Sequence, residues 1–139
     1  MRGIEVIKVY ADGSTTRTAY VIEGVCRGVQ PMAHKQTSNV GEYVAVWKAV
    51  KKAHEKGLRE IEVLSDSELI IKQLKGEYAI NNKKLREYAL RIWAEAENFD
   101  KIEFAWVSRE DNPAGKMLES VARGATKCQR RLKNDKENT

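Results

Sequence analysis

The sequence predicts a mixed α/β domain, and three observations carry that prediction. Short apolar runs with strand-like alternation open the chain, and the hydrophobic period then changes from two to that of a helix after residue 40. Strands and helices alternate from there to the last helix, which gives the order three strands, helix, strand, two helices, strand, helix. Breaks at Gln30-Pro31, Gly57 and Gly76 separate the segments cleanly.

Val6 to Ala11 and Ala19 to Ile22 read as two strands joined by a Gly-Ser-Thr-Thr turn, and Val25 to Val29 as a third, so the sheet starts antiparallel. From Gly41 to Lys56, Tyr43, Val46, Trp47, Val50 and Ala53 form one apolar stripe while Lys48, Lys51, Lys52 and Glu55 face away; Gly57 ends this amphipathic helix. "IEVLSD" is a short strand stopping at Ser65-Asp66, followed by a helical run from Glu68 to Lys75 closed by Gly76. A longer helix is expected over Asn82 to Asn98, then the strand "KIEFAWV", then a helix from Pro113 to about Thr126. Trp47, Trp93 and Trp106 fall on inward stripes and are expected to pack in the core.

A chain of 139 residues fits one core. The division expected is one domain over residues 1–125 and a basic, disordered tail over 126–139. No run of about 18 apolar residues exists, so no membrane partner is expected. Cys26 and Cys128 are far apart and lack metal-ligand spacing, so neither a disulfide framework nor a zinc site is suggested, and reduced, cytoplasmic thiols in an unexported protein are expected. Of the formal charge of +5, five basic and two acidic residues from Thr126 onward contribute +3, so net charge is weak support for a nucleic-acid partner.

Three carboxylates stand out by position. Asp12 ends the first strand in "VIKVYADGSTT", Glu42 opens the first long helix, and Asp66 follows the fourth strand. Each has a plain structural role available. Asp12-Gly13 is a turn signal, Glu42 lies three residues after Asn39 as in a capping box, and Asp66 could cap the helix starting near Ser67. Sites in open α/β sheets gather at strand ends and nearby helix N-termini. Three acids converging there repel one another, and a divalent cation is the usual reason to tolerate that.

"YADGST", "TSNVGEY", "LSDSELI" and "WVSREDN", in this order and spacing over about residues 4 to 122, resemble the type 1 ribonuclease H pattern. The resemblance implies a ribonuclease H-like fold, a five-stranded mixed sheet flanked by helices on both faces. It also implies a monomeric endonuclease that cuts the RNA strand of RNA–DNA hybrids with two Mg²⁺ ions, Mn²⁺ being a possible substitute. Carried over, Asp12 would bridge both ions and Glu42 and Asp66 would hold the second. Gly13 and Ser14 would let a nucleic-acid strand approach, Thr37, Ser38 and Asn39 would contact it at a helix N-terminus, and Glu68 would lie near the minor groove.

The sequence departs from that pattern in the last helix, where Lys116 occupies the position of the family's fourth acidic ligand. Asn112 is expected to serve there as a catalytic metal ligand through its carbonyl oxygen, or as an N-cap before Pro113, or as both; Asp111 is a further candidate. The basic insertion of many relatives is missing as well, with Lys83, Lys84, Arg86 or the tail as possible compensation. So is the histidine that some place before the last helix, leaving proton transfer to water or a group such as Glu110. Two other functions remain open: a hybrid-binding module that has lost turnover, and a related nuclease acting on DNA.

Overall fold

Alternation along the first strand sets the layers. The computed structural model describes residues 5–121. In β1 (Ile7–Gly13), Val9 and Ala11 point into a large core beneath three helices, whereas Tyr10 points into a smaller cluster on the opposite face. Strand β1 pairs antiparallel with β2 (Arg17–Ile22), which pairs antiparallel with β3 (Cys26–Pro31). On its other side β1 pairs parallel with β4 (Glu60–Ser65), which pairs parallel with β5 (Lys101–Trp106). The result is one five-stranded mixed sheet in the order β3-β2-β1-β4-β5.

Helices α1 (Ser38–Glu55), α2 (Glu68–Leu74) and α3 (Lys83–Ala96) cover one face. The second face receives the last helix, described over residues 113–121, through Ala114, Met117 and Leu118 against Tyr10, Ala19, Val21 and Val29. The expected mixed sheet with helices on both faces is therefore found. The main core is built from aliphatic side chains, with Val9, Val46, Val50, Ile61, Val63, Ile70 and Ile92 all fully buried. Tyr43 is buried with them, and its hydroxyl donates to Gln73 Oε1 at 2.8 Å, so the burial leaves no orphan polar group.

Local chemistry moves several expected boundaries. Helix α1 starts at Ser38, three residues before the expected start at Gly41, because Thr37 Oγ1 accepts from Val40 N at 3.2 Å. Thr37 is thus the N-cap and Asn39 lies inside the first turn, so the expected Asn39–Glu42 capping box does not form. Ser67, not Asp66, caps α2, accepting from Ile70 N at 3.4 Å. Trp106 shares a sheet face with the packed Ile102 and Phe104, but it ends an edge strand and is 54% exposed, contrary to the core position expected. Its indole Nε1 donates to Asp66 O at 3.2 Å. The basic tail from Thr126 lies outside the described residues.

The turn after β1 meets α1 backbone against backbone. A Cβ on Gly13 would run into the carbonyl oxygen of Gly41, and one on Gly41 into the carbonyl oxygen of Ser14. Both contacts are with main chain, which cannot swing aside as a side chain would. Gly41→Ala is expected to destabilise the fold by at least about 2 kcal/mol, seen as a lowered urea midpoint. A loss below about 0.5 kcal/mol, the scale of a neutral surface change, would mean that the turn and helix can part without cost.

Candidate active site

Three elements deliver the three carboxylates to one place. Asp12 comes from the end of β1, Glu42 from the first turns of α1, and Asp66 from the residue after β4, the parallel neighbour of β1. One carboxylate oxygen from each lies within 4.8 Å of those of the other two. Asp12 is only 8% exposed, and Glu42 and Asp66 are half-buried.

Crowding and burial strain this trio electrostatically. Burial, reinforced by the Asp66 charge, pushes the Asp12 carboxyl up to about 6, against the Arg109 charge and the Gly13 N–H, which favour ionisation. Glu42 is pushed up to about 7, again chiefly by burial and then by Asp12, while a hydrogen bond from Ser67 and the Arg109 charge oppose the shift. The donor set is three hard carboxylate oxygens with no thiol or imidazole, which suits Mg²⁺ or Mn²⁺. The buried charge that raises two of these pKa values is what such a cation would neutralise.

Asn112 is fully buried beside the trio. Its Oδ1 accepts from Ala114 N at 3.1 Å, as a helix cap does, and its Nδ2 donates at 3.1 Å both to Ala11 O and to Asp66 Oδ2. The oxygen expected as a metal ligand is thus engaged with the helix, and it is the amide NH₂ that faces the carboxylates. Asp111 is exposed and accepts from Ser108 Oγ at 3.0 Å. In the last helix Gly115 faces the trio, its Cβ position lying 3.2 Å from Asp12 Oδ2 and 3.6 Å from Asp66 Oδ2. Glu119, one turn on, lines the pocket beside Asp12, and its charge raises the Asp12 carboxyl further. Lys116 is exposed.

The expected nucleic-acid contacts divide into two groups. Gly13 and Ser14 adjoin Asp12 in a pocket, and Thr37, Ser38 and Asn39 are exposed at the start of α1, one turn before Glu42. Lys84 reaches the same corner, its Nζ donating to Gln36 Oε1 at 3.1 Å. Glu68 is exposed on α2 and pairs with Lys72 at 3.4 Å. Arg86, by contrast, spends its guanidinium on Ile80 O. Sequence reasoning missed Arg109, whose charge acts on both Asp12 and Glu42; the signal available was its place at the mouth of the last helix in "SREDN".

A family model described as reverse transcriptase-like matches residues 22–122. The bifunctional protein Rv2228c of Mycobacterium tuberculosis strain H37Rv is 30% identical over 91 residues, which covers 66% of this chain and 25% of that protein. The chain therefore spans about a quarter of the length of the curated relatives it matches. Among solved structures, RNase H1 from the halophilic archaeon Halobacterium salinarum NRC-1 is similar with a TM-score of 0.76 and 27% identity, over 82% of this chain and 94% of that one. LC11-RNase H1, solved in complex with an RNA/DNA hybrid, is similar with a TM-score of 0.70 and 26% identity, over 76% and 88%.

The raised carboxyls make a pH prediction for the cation-free protein. Folding raises the proton affinity of Asp12 and Glu42, so the folded state is penalised above about pH 7. The penalty is relieved as pH falls through about 7 and 6 toward the unfolded values of 4.5 and 3.8. In chelator, the melting temperature is expected to rise from pH 8 to pH 5. Asp12→Asn is expected to stabilise the protein at pH 8 by up to about 3 kcal/mol, at roughly 1.4 kcal/mol per pKa unit. A wild-type melting temperature that falls steadily over that range, with no gain from Asp12→Asn, would contradict the strained-trio description.

Proposed function

Since the chain belongs to the reverse transcriptase-like family, within the ribonuclease H-like superfamily, we propose that it is a metal-dependent endonuclease hydrolysing the RNA strand of RNA–DNA hybrids. The observation that carries this reading is the convergence of Asp12, Glu42 and Asp66 at adjoining strand and helix ends, with one oxygen of each within 4.8 Å of the others. The hybrid seen bound to LC11-RNase H1 supports the choice of substrate.

In this reading Asp12, Glu42 and Asp66 would hold the divalent cations, two Mg²⁺ or in their place Mn²⁺, through their carboxylate oxygens. Such a pair, when bound, supplies an activated water and charge stabilisation for the leaving 3′ oxygen. Asn112 is a positioning residue: its NH₂ ties Asp66 to the β1 backbone while its oxygen fixes the start of the last helix. Arg109 adds positive charge beside the carboxylates, where a phosphodiester must approach. Thr37, Ser38 and Asn39 present hydroxyl, amide and helix N-terminal N–H groups to the hybrid, and recognition of 2′-OH groups separates RNA from DNA.

The test is cleavage of an end-labelled RNA–DNA hybrid, beside double-stranded RNA and double-stranded DNA, over Mg²⁺ and Mn²⁺ titrations. Cutting confined to the hybrid's RNA, and reduced at least about a hundredfold by Asp12→Asn, is expected, since that change removes one of the three carboxylates that would hold the cations. Hybrid binding without cleavage at any metal concentration would instead favour a binding module, the reading to which the exposed Lys116 points.

A second test addresses Asn112. Asn112→Asp replaces two donated hydrogen bonds by a carboxylate aimed at Ala11 O and Asp66. It is expected to cost about 2 kcal/mol or more in chemical denaturation without metal. A variant that is as stable as wild type and needs less Mg²⁺ would show Asn112 to be a ligand position instead.

A further inference from the structure

A pocket of about 210 Å³ opens beside Asp12, with Ser14, Arg17, Arg109, Gly115 and Glu119 around it. Two arginines enter it from different elements. Arg17 is the first residue of β2, and Arg109 belongs to the short 3₁₀ turn Arg109–Asp111 between β5 and the last helix. Among the described residues neither guanidinium forms an ion pair, whereas Arg59 is held by Asp100 at 2.9 Å, and Lys52, Lys72, Lys75 and Lys101 each have a glutamate.

The register of the hairpin sets where Arg17 points. Asp12 pairs with Ala19 across the β1–β2 ladder, and Arg17 lies two residues from Ala19 on the same face of the sheet. Asp12 and Arg17 are therefore diagonal neighbours, about 7–8 Å apart at the backbone. The base of Arg17 is rigid. Ser14 N donates to Arg17 O at 2.8 Å, Arg17 N to Ser14 Oγ at 3.1 Å, and the turn is stitched to the next loop by Met32 N to Thr16 O and Gln36 N to Thr15 O. None of these bonds uses the Arg17 side chain.

We propose that Arg17 and Arg109 form an anion subsite that grips a backbone phosphate of the bound strand one step away from the phosphate at Asp12. The inference rests on the nuclease reading for the identity of that strand. The chemistry fits a phosphodiester: each guanidinium offers a planar fork of donors, and two forks from separate elements can hold one phosphate from two sides. Asp12 on one wall keeps the pocket unsuited to a phosphate until its charge is neutralised, so occupancy of the subsite follows cation binding at the trio. Arg17 sets register along the strand and takes no part in bond breaking.

The experiment measures binding of a fluorescent RNA–DNA hybrid by anisotropy across a salt titration in Asp12→Asn protein, with and without Arg17→Ala or Arg17→Lys. Arg17→Ala is expected to weaken binding about five- to tenfold and to reduce the slope of log affinity against log salt by about one, the signature of one lost phosphate contact. Arg17→Lys, which keeps the charge and loses the fork, is expected to keep the slope and recover part of the affinity. In otherwise wild-type protein, Arg17→Ala should raise KM by a similar factor with kcat within about twofold. Affinity and salt slope unchanged in Arg17→Ala, with a native melting curve, would overturn the subsite. The two readings fail separately. Wild-type protein that binds but never cuts, with the Arg17 effect intact, would remove the nuclease and keep the subsite; cleavage with no Arg17 effect would do the reverse.

Discussion

The contact on which the site depends is the one between the main chains at Gly13 and Gly41. It lets the turn after β1 lie directly on the first turns of α1, so that Asp12 at the end of the strand and Glu42 inside the helix share one small volume. A side chain at either glycine would wedge the strand end and the helix apart by roughly the size of a methyl group, and a metal-sized cluster of oxygens would not survive that separation. The contact is supported from both sides. Ser14 and Arg17 close the turn through three hydrogen bonds, and Thr37 fixes where the helix begins. Parallel pairing of β4 with β1 then brings Asp66 in beside Asp12 without any further device.

This arrangement works against the stability of the fold. Three carboxylates at the edge of a dry core favour the protonated state, and nearby positive charge offsets the repulsion only partly through Arg109. The surrounding structure holds them nonetheless, because each comes from an element whose other residues are firmly packed: Val9 and Ala11 in β1, Tyr43 and Val46 in α1, Val63 and Leu64 in β4. Asn112 adds a clamp that is neutral. By donating to both Ala11 O and Asp66 it joins the last helix to the strand that carries Asp12, and a charged residue in its place would add to the repulsion or leave a buried group unpaired.

Much of this was legible in the sequence, and the failures have common causes. The element order and the change of period at residue 40 were enough for the mixed sheet, since burial of one face per element enforces those patterns. The trio could be picked out because strand ends and helix starts are marked by turn chemistry at Asp12-Gly13 and Ser65-Asp66. The cap of α1 was misassigned because Thr37, Ser38 and Asn39 are all good caps, and only the packing of the turn against Gly41 selects Thr37. Trp106 was misread because strand alternation specifies a face but says nothing about how far the covering helices extend along it. Arg17 received no role from the sequence, falling between the expected turn and the strand from Ala19, since its significance depends on the β1–β2 register, a pairing that periodicity does not report.

The last helix closes the site with a glycine where its wall comes nearest the carboxylates. At Gly115 a Cβ would stand 3.2 Å from Asp12 Oδ2 and 3.6 Å from Asp66 Oδ2, so glycine leaves room for the carboxylates there, while Leu118 and Glu119 of the same helix line the pocket beside Asp12. Lys116, next in sequence and turned by about 100° around the axis, is exposed, which keeps its ammonium away from the buried carboxylates. An ammonium turned inward would have offset part of the trio's charge and competed with any divalent cation. Turned outward, it leaves Arg109 as the positive charge acting on both Asp12 and Glu42. The lysine at this point of the helix therefore leaves the electrostatic strain among Asp12, Glu42 and Asp66 in place, and Glu119, one turn beyond Gly115, adds to it at Asp12.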